Sequence, residues 1–90
     1  MAHIDLSAFD RAFGNGAAHV DGQLLLELGM RAALGRDGTA DFVAAHMYFN
    51  LADKKGVAGA AAHRQDVAAE MTKAEIAAAL RSARRWLTLH

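Results

Sequence analysis

The 90-residue chain contains no proline, and alanine is its commonest residue. Alanine is the strongest helix former among the amino acids, whereas proline interrupts a helix more severely than any other residue. Helix is therefore favoured almost everywhere, and the eight glycines become the main signals for turns. Because short turns make neighbouring helices antiparallel, the sequence predicts an all-α fold of antiparallel helical hairpins, with about four main helices or five with an N-terminal one.

The length and composition suit a single domain with a modest core. Hydrophobic residues make up 53% of the chain, too many for a disordered protein, although much of this fraction is alanine. Burial of apolar surface contributes about 25 cal/mol per Å², and ordering costs about 1.5 kcal/mol per residue. The net free energy of folding of such a chain is therefore close to zero. Cysteine is absent, which excludes disulfides, so a partner chain or self-association is expected to add stability.

The predicted domain has three parts. Residues 1–20 form a short helix and a loop, residues 21–56 a repeat-like hairpin, and residues 57–90 a degenerate second hairpin that acts as a cap. Ser7 is expected to cap the N-terminal helix, because a serine hydroxyl can accept from the backbone amides of a first helical turn. The apolar side of that helix carries Leu6, Phe9 and Phe13.

Capping residues mark both helices of the repeat-like hairpin. Asp21 is a suitable N-cap for a helix that runs to Leu34, and Asp41 for one that runs to Lys55. Gly56 suits the position just after that helix, where a left-handed backbone favours glycine. The first of these two helices is predicted to turn an inward stripe toward the core that contains Leu25, Leu28, Gly29 and Ala32.

A capping box divides the second hairpin. The third helix is predicted to begin soon after Gly56 and to reach about Met71. Thr72 and Glu75 then have the spacing at which each side chain satisfies the backbone amide of the other. This box opens a final helix whose inward stripe is predicted at i, i+4, i+7 and i+11, namely Ile76, Leu80, Ala83 and Leu87.

The repeat-like hairpin contains a set of leucine, glycine, alanine and aromatic residues in a characteristic order. It consists of Leu-Gly in the first helix, two glycines in the turn, and an Ala-x-x-aromatic-aromatic-x-x-Ala run closed by glycine: Leu28, Gly29, Gly35, Gly38, Ala45, Tyr48, Phe49, Ala52 and Gly56. This set resembles the Sel-one-like repeat, a relative of the tetratricopeptide repeat. It covers one repeat, and Trp86 supplies an aromatic in the degenerate second one.

The resemblance implies a short α/α solenoid that acts as a bacterial-type adaptor for protein–protein contacts, without catalysis. Glycine at Gly29 would let the two helices of a hairpin approach closely, with Tyr48 and Phe49 between hairpins. Solenoids of this class present the first helix of each hairpin on their concave side. The residues expected to bind a protein partner are therefore Leu24, Glu27, Arg31, His63 and Arg64.

Charge and hydropathy narrow the range of partners. Ten acidic and ten basic residues balance, whereas nucleic-acid binders usually carry a basic excess, so nucleic acid is not the expected partner. The longest apolar cluster, Leu24 to Leu26, is far below the roughly 20 residues that span a bilayer. No signal-peptide pattern opens the chain, which favours a cytoplasmic location. No cofactor is expected.

Two polar groups lie where chemistry could occur. His46, Asn50 and Asp53 share one helix face, but asparagine is a poor zinc ligand, so we interpret them as a solvated stripe rather than a metal site. Arg64 falls within the apolar stripe of the third helix. A buried unpaired guanidinium is strongly unfavourable, so it must reach the surface, pair with a carboxylate such as Asp53 or Glu70, or face a partner.

Three arginines near the end of the final helix leave a further function open. Arg81, Arg84 and Arg85, beside Trp86, could bind an anionic ligand or RNA, with base stacking on the indole. Placement against the negative end of the helix dipole, with Trp86 in the core, is the interpretation we favour. The leading prediction is thus an adaptor, with a self-associating structural module, including a homodimer, as the alternative and a weak anion binder as a third.

Overall fold

A computed structural model describes residues 21–36 and 38–89 of the chain. This part of the chain forms four α-helices and contains no strand, which confirms the predicted all-α class. The helices are α1 (Gly22–Leu34), α2 (Phe42–Lys54), α3 (Ala60–Ala68) and α4 (Lys73–Leu89). The predicted N-terminal helix, with Ser7, Leu6, Phe9 and Phe13, lies outside the described residues.

The caps of α1 and α2 follow the sequence closely. The Asp21 carboxylate accepts a hydrogen bond from the Gln23 amide at 2.9 Å, and the Asp41 carboxylate accepts one from the Ala44 amide at 3.0 Å. Each bond satisfies one of the amide donors that a helix leaves without an internal partner. Both predicted N-caps are thereby confirmed.

Helix α2 ends in a paired arrangement of backbone bonds around a left-handed glycine. Gly56 has a φ of +81°, and its amide donates to the Asp53 carbonyl at 2.9 Å. The Val57 amide donates to the Ala52 carbonyl at 3.1 Å, which completes a Schellman motif. The predicted stop at Gly56 is therefore confirmed.

Helix α3 is shorter than predicted. It begins only at Ala60, because Gly59 adopts a left-handed φ of +85° that an α-helix cannot contain. At its other end, the amides of Glu70 and Met71 donate to carbonyls three residues back, which tightens the last turn and ends the helix before Met71.

The start of α4 matches the prediction, but its inward face does not. The Thr72 amide donates to Glu75 at 2.8 Å and the Glu75 amide donates to the Thr72 hydroxyl at 3.1 Å, so the capping box is confirmed. The predicted stripe is wrong at Leu80 and Leu87, which are 39% and 49% exposed.

Small residues form the true inward face of α4. Ala79 and Ala83 are buried, and Trp86 is half-buried, at spacings of i, i+4 and i+7. Alanine lets α4 lie close to α2, and the contact of Trp86 with Tyr48 turns the helix so that the larger leucines stay outside. Of the predicted stripe, Ala83 is buried and Ile76 half-buried.

Helix α2 is the centre of the packing, because α1, α3 and α4 all pack against it. Helices α3 and α4 make few direct contacts with each other, so the second half of the chain is held mainly through α2. One core cluster draws on all four helices and contains Leu25, Leu51, Ala52, Ala60 and Ala83. A second contains Ala45, Phe49 and Val67.

The inward stripe predicted for α1 is buried at its centre. Leu25 and Gly29 are buried, and Leu28 and Ala32 are half-buried. Leu26, which the prediction left out, packs against both core clusters. The side of α1 that faces the core is therefore wider than the predicted stripe of i, i+3 and i+4 positions.

Candidate functional site

Arg64 ties α3 to α2 through a polar network. Its Nη1 donates to Asn50 Oδ1 at 3.1 Å and to Asp53 Oδ2 at 3.0 Å. The side chains of Arg64 and Asp53 are 26% and 40% exposed, so the pair lies at the edge of the core rather than inside it. Of the alternatives the sequence left open for Arg64, pairing with Asp53 is the one that the structure shows.

Asn50 was missed as a partner of Arg64, although the sequence held the signal. Asn50 and Asp53 are three residues apart on α2, and residues at this spacing lie next to each other on a helix surface. A single guanidinium can therefore reach both side chains. Asn50 and Asp53, which belong to the predicted polar stripe, bind Arg64. These two residues therefore help to hold α2 and α3 together.

His46 corrects the prediction of a solvated stripe, because its side chain is only 4% exposed. It follows the buried Ala45 and precedes the buried Phe49 by three residues, so it lies at a core position of α2. Its Nδ1 has no hydrogen-bond partner among the described residues. Burial is the main cause that lowers the pKa of His46 below its usual 6.5, and the positive charge of Arg64 is the second. Both favour the neutral ring.

Phe49 joins α1, α2 and α3. A Cβ atom at Gly29 would lie 2.5 Å from Phe49 Cε1, so only glycine leaves room for the ring against α1. From α3, the His63 ring stacks on Phe49 with centroids 5.3 Å apart and planes 24° apart. The close approach predicted at Gly29 is confirmed, whereas the stacking partner on α3 was not foreseen.

Tyr48 makes the corresponding contact toward α4. Its ring meets that of Trp86 edge to face, with centroids 6.5 Å apart and planes at 80°. Such pairs are favourable because the positive edge of one ring faces the negative face of the other. Burial, followed by the charge of Asp41, raises the pKa of Tyr48 above 10.0, so the hydroxyl stays protonated at neutral pH.

The predicted partner-binding residues separate into two groups. Glu27 and Arg31 are exposed and Leu24 is half-buried, on the side of α1 opposite Leu25 and Gly29. The other two are half-buried and have contacts within the fold, His63 with Phe49 and Arg64 with α2. The structure therefore brings together three of the five on one outward surface, which we call the α1 face (Leu24, Glu27 and Arg31).

The C-terminal arginines project from the outer side of α4. Arg81, Arg84 and Arg85 are exposed and, with Thr88 and Leu89, line a shallow open depression. The Thr88 hydroxyl donates to the Arg84 carbonyl at 3.0 Å. The half-buried Trp86 packs against Tyr48, as the favoured interpretation expected.

Two further features limit the chemistry that this part of the chain offers. Among residues 21–36 and 38–89, no three His, Cys, Asp or Glu side chains are grouped so that they could hold a metal ion. No helix in the same ranges is long and apolar enough to cross a membrane. Comparison with models of known protein families, with curated proteins and with solved structures finds no match for this chain.

Proposed function

We propose that this chain is a small cytoplasmic helical module of the Sel-one-like kind, which works by binding another protein through the α1 face. The observation that supports the proposal is the placement of Glu27 and Arg31, which are exposed along one row of α1 beside the half-buried Leu24. Arg64, Asn50 and Asp53, in comparison, are half-buried, and their hydrogen bonds hold α3 against α2.

The composition of the α1 face suits recognition of a protein segment. Leu24, Glu27 and Arg31 are spaced i, i+3 and i+7, so they form one row along about two turns of α1. An apolar side chain with charged neighbours of both signs combines burial of apolar surface with directional polar contacts. A row with both charges also matches a partner that carries complementary charges at the same spacing.

The rigid support behind the α1 face is the second argument. Gly29 and Leu25 on the inner side of α1 are buried, and Gly29 lies directly against the Phe49 ring. The row is therefore displayed on a helix whose position is fixed by core packing. A surface that is ordered before binding loses less conformational entropy when a partner is bound.

His63 and Arg64 are expected to affect partner binding only indirectly. Both hold α3 against α2, and their own side chains are already engaged. We expect substitutions there to change binding through the position of α3 and to lower stability at the same time. For Glu27 and Arg31, we expect substitutions to weaken binding while the helical circular-dichroism signal stays intact.

The proposal is tested by affinity capture from native lysate with the tagged chain and a Glu27→Ala, Arg31→Ala variant. The matched control is Lys54→Ala, Glu70→Ala, which also removes one base and one acid from exposed positions. We expect a protein retained by the unchanged chain and the control to be lost by the α1-face variant, with unchanged helical circular dichroism. Equal retention by both variants would contradict the proposal.

Self-association is separated from this function by sedimentation velocity. Leu34, at the end of α1, is among the large apolar side chains that remain exposed. A concentration-dependent dimer that survives the α1-face substitutions would assign the module to self-assembly instead. A monomer across the micromolar range would leave the adaptor proposal as it stands.

A further inference from the structure

The outer side of α4 is a surface of one charge. Arg81, Arg84 and Arg85 lie within about one turn of each other, on the side opposite Ala79 and Ala83. Within residues 21–36 and 38–89, no hydrogen bond or ion pair engages their guanidinium groups. The three positive charges therefore repel one another and remain available to an anion.

The rest of α4 does not neutralise this charge. From Lys73 to Leu89 the helix contains one acidic residue, Glu75, and its carboxylate accepts from the Thr72 amide in the capping box. The whole chain has no net charge, so the acidic residues that balance these arginines lie elsewhere in the sequence. The result is a local basic surface on a chain that is neutral overall.

Apolar side chains border the arginines. Leu80 and Leu87 are four residues before and three residues after Arg84, so they flank it along one edge of the helix. Both side chains are exposed, and Leu89 is exposed on the other edge. We call this surface, formed by Leu80, Arg81, Arg84, Arg85, Leu87 and Leu89, the α4 face.

We propose that the α4 face binds an acidic amphipathic segment of another protein, in which Asp or Glu side chains alternate with apolar ones. Guanidinium groups pair with carboxylates through two parallel hydrogen bonds, which gives both strength and direction. The flanking leucines bury apolar side chains of the same segment. This surface is separate from the α1 face, and the proposal does not depend on the function assigned there.

Two other anionic partners fit the α4 face less well. A single-stranded nucleic acid gains much of its affinity from base stacking, but the nearby Trp86 ring is packed against Tyr48. A membrane-surface helix buries a broad apolar side in lipid, whereas the apolar residues Ala83 and Trp86 of α4 are packed in the core and leave only leucines at the edges exposed. An acidic peptide needs only the outward arginines and leucines that the structure exposes.

The probe for this proposal is a fluorescent peptide of about 11 residues, roughly three helical turns, built from Glu, Leu and Ala with Glu and Leu on one face. Two control peptides replace every Glu with Gln or every Leu with Ser. Fluorescence anisotropy against the full chain, at low and at physiological salt, gives the affinities. We expect saturable binding of the Glu–Leu peptide, weaker binding at higher salt, and at least about tenfold weaker binding of each control.

The protein variants localise the binding. Arg81→Gln, Arg84→Gln, Arg85→Gln should weaken peptide binding at least about tenfold, which corresponds to about 1.4 kcal/mol. The matched control removes three other exposed positive charges, Arg36→Gln, Lys54→Gln, Lys73→Gln, and should change the affinity less than about threefold. Circular dichroism and the melting temperature confirm that both variants are folded, and amide chemical shifts of the unchanged chain should move on α4.

Several results would overturn the proposal. These are no saturable binding, equal binding of the Gln peptide, equal loss in the two variants, or shifts confined to α1. Tighter binding of a single-stranded RNA oligonucleotide, or of vesicles containing phosphatidylserine, than of the Glu–Leu peptide would do the same. It would assign the α4 face to that partner instead.

Discussion

Gly29 and Phe49 fit together so closely that a Cβ atom added to the glycine would lie 2.5 Å from Cε1 of the ring. The ring cannot move away easily, because Phe49 is buried and the His63 ring also stacks on it. This contact fixes the distance between α1 and α2 and, through His63, the position of α3. The α1 face is held in place by the same contact.

Gly29→Ala is expected to destabilise the domain by about 1–3 kcal/mol, because it overpacks the core at Phe49. This loss should outweigh the roughly 1 kcal/mol by which alanine favours a helix interior over glycine. Urea unfolding followed by circular dichroism gives the change. Adding Phe49→Leu to Gly29→Ala should relieve the clash. The double variant should then lose less unfolding free energy than the two single variants lose when their losses are added. Simple additivity would show that the contact does not limit the packing.

The Arg64–Asp53 pair is expected to contribute a coupling energy of about 0.5–1 kcal/mol, the range for partly exposed ion pairs. A double-mutant cycle with Arg64→Met and Asp53→Asn measures it, since methionine keeps much of the apolar stem. The coupling should decrease as salt is raised. The control cycle combines Asp53→Asn with Arg81→Met, which is on the outer side of α4, and should be additive. Equal coupling energies in the two cycles would contradict a specific interaction between Arg64 and Asp53.

The capping box of α4 is expected to account for about 1 kcal/mol of stability. Thr72→Ala removes the hydroxyl that accepts from the Glu75 amide and disturbs the return bond to the Thr72 amide. Thermal unfolding of Thr72→Ala measures the loss. Thr88→Ala is the matched control, because its hydroxyl only donates to a carbonyl at an exposed position. That variant should stay within about 0.5 kcal/mol of the unchanged chain. A larger loss from Thr88→Ala than from Thr72→Ala would contradict the assignment.

His46 should make the domain sensitive to mild acid. Its pKa is lowered in the folded state from the 6.5 expected of an exposed histidine, so the unfolded chain takes up a proton first as pH falls. The histidine contribution is fully present above pH 6.5 and is lost as pH falls from there toward the folded-state pKa. Urea unfolding between pH 8 and pH 5 should therefore show a steeper loss for the unchanged chain than for His46→Gln. Parallel pH profiles would show that His46 does not carry this effect.

Local signals explain what could be predicted of the fold. The N-caps Asp21 and Asp41, the stop at Gly56 and the capping box each depend on residues a few positions apart, and these are confirmed. These features need no knowledge of how the helices are oriented. Pairing of Arg64 with Asp53 was one of several alternatives left open by the high energy of an unpaired buried guanidinium, and the choice among them depends on how α3 packs on α2.

The errors about which side chains are buried share one cause, the rotation of a helix about its own axis. On α4 the alternatives Ala79 and Leu80 differ by one residue, and hydrophobicity alone favours the leucine. The smaller residue is inside because close approach to α2 and the contact of Trp86 with Tyr48 decide the rotation. His46 was misplaced in the same way, since a polar residue was assigned to solvent although its position between Ala45 and Phe49 is buried. The α1 face stays a prediction from the repeat resemblance.

The measurement that most directly tests binding through the α1 face is site-specific photo-crosslinking in native lysate. The photoreactive p-benzoylphenylalanine replaces Leu24 in one version of the chain and the exposed Lys54, at the end of α2, in another. We expect a single protein to be crosslinked from position 24 and not from position 54. The Glu27→Ala, Arg31→Ala substitutions should abolish that crosslink while the helical signal is unchanged. The same protein crosslinked equally from both positions, or a crosslink at position 24 that survives those substitutions, would contradict binding through the α1 face.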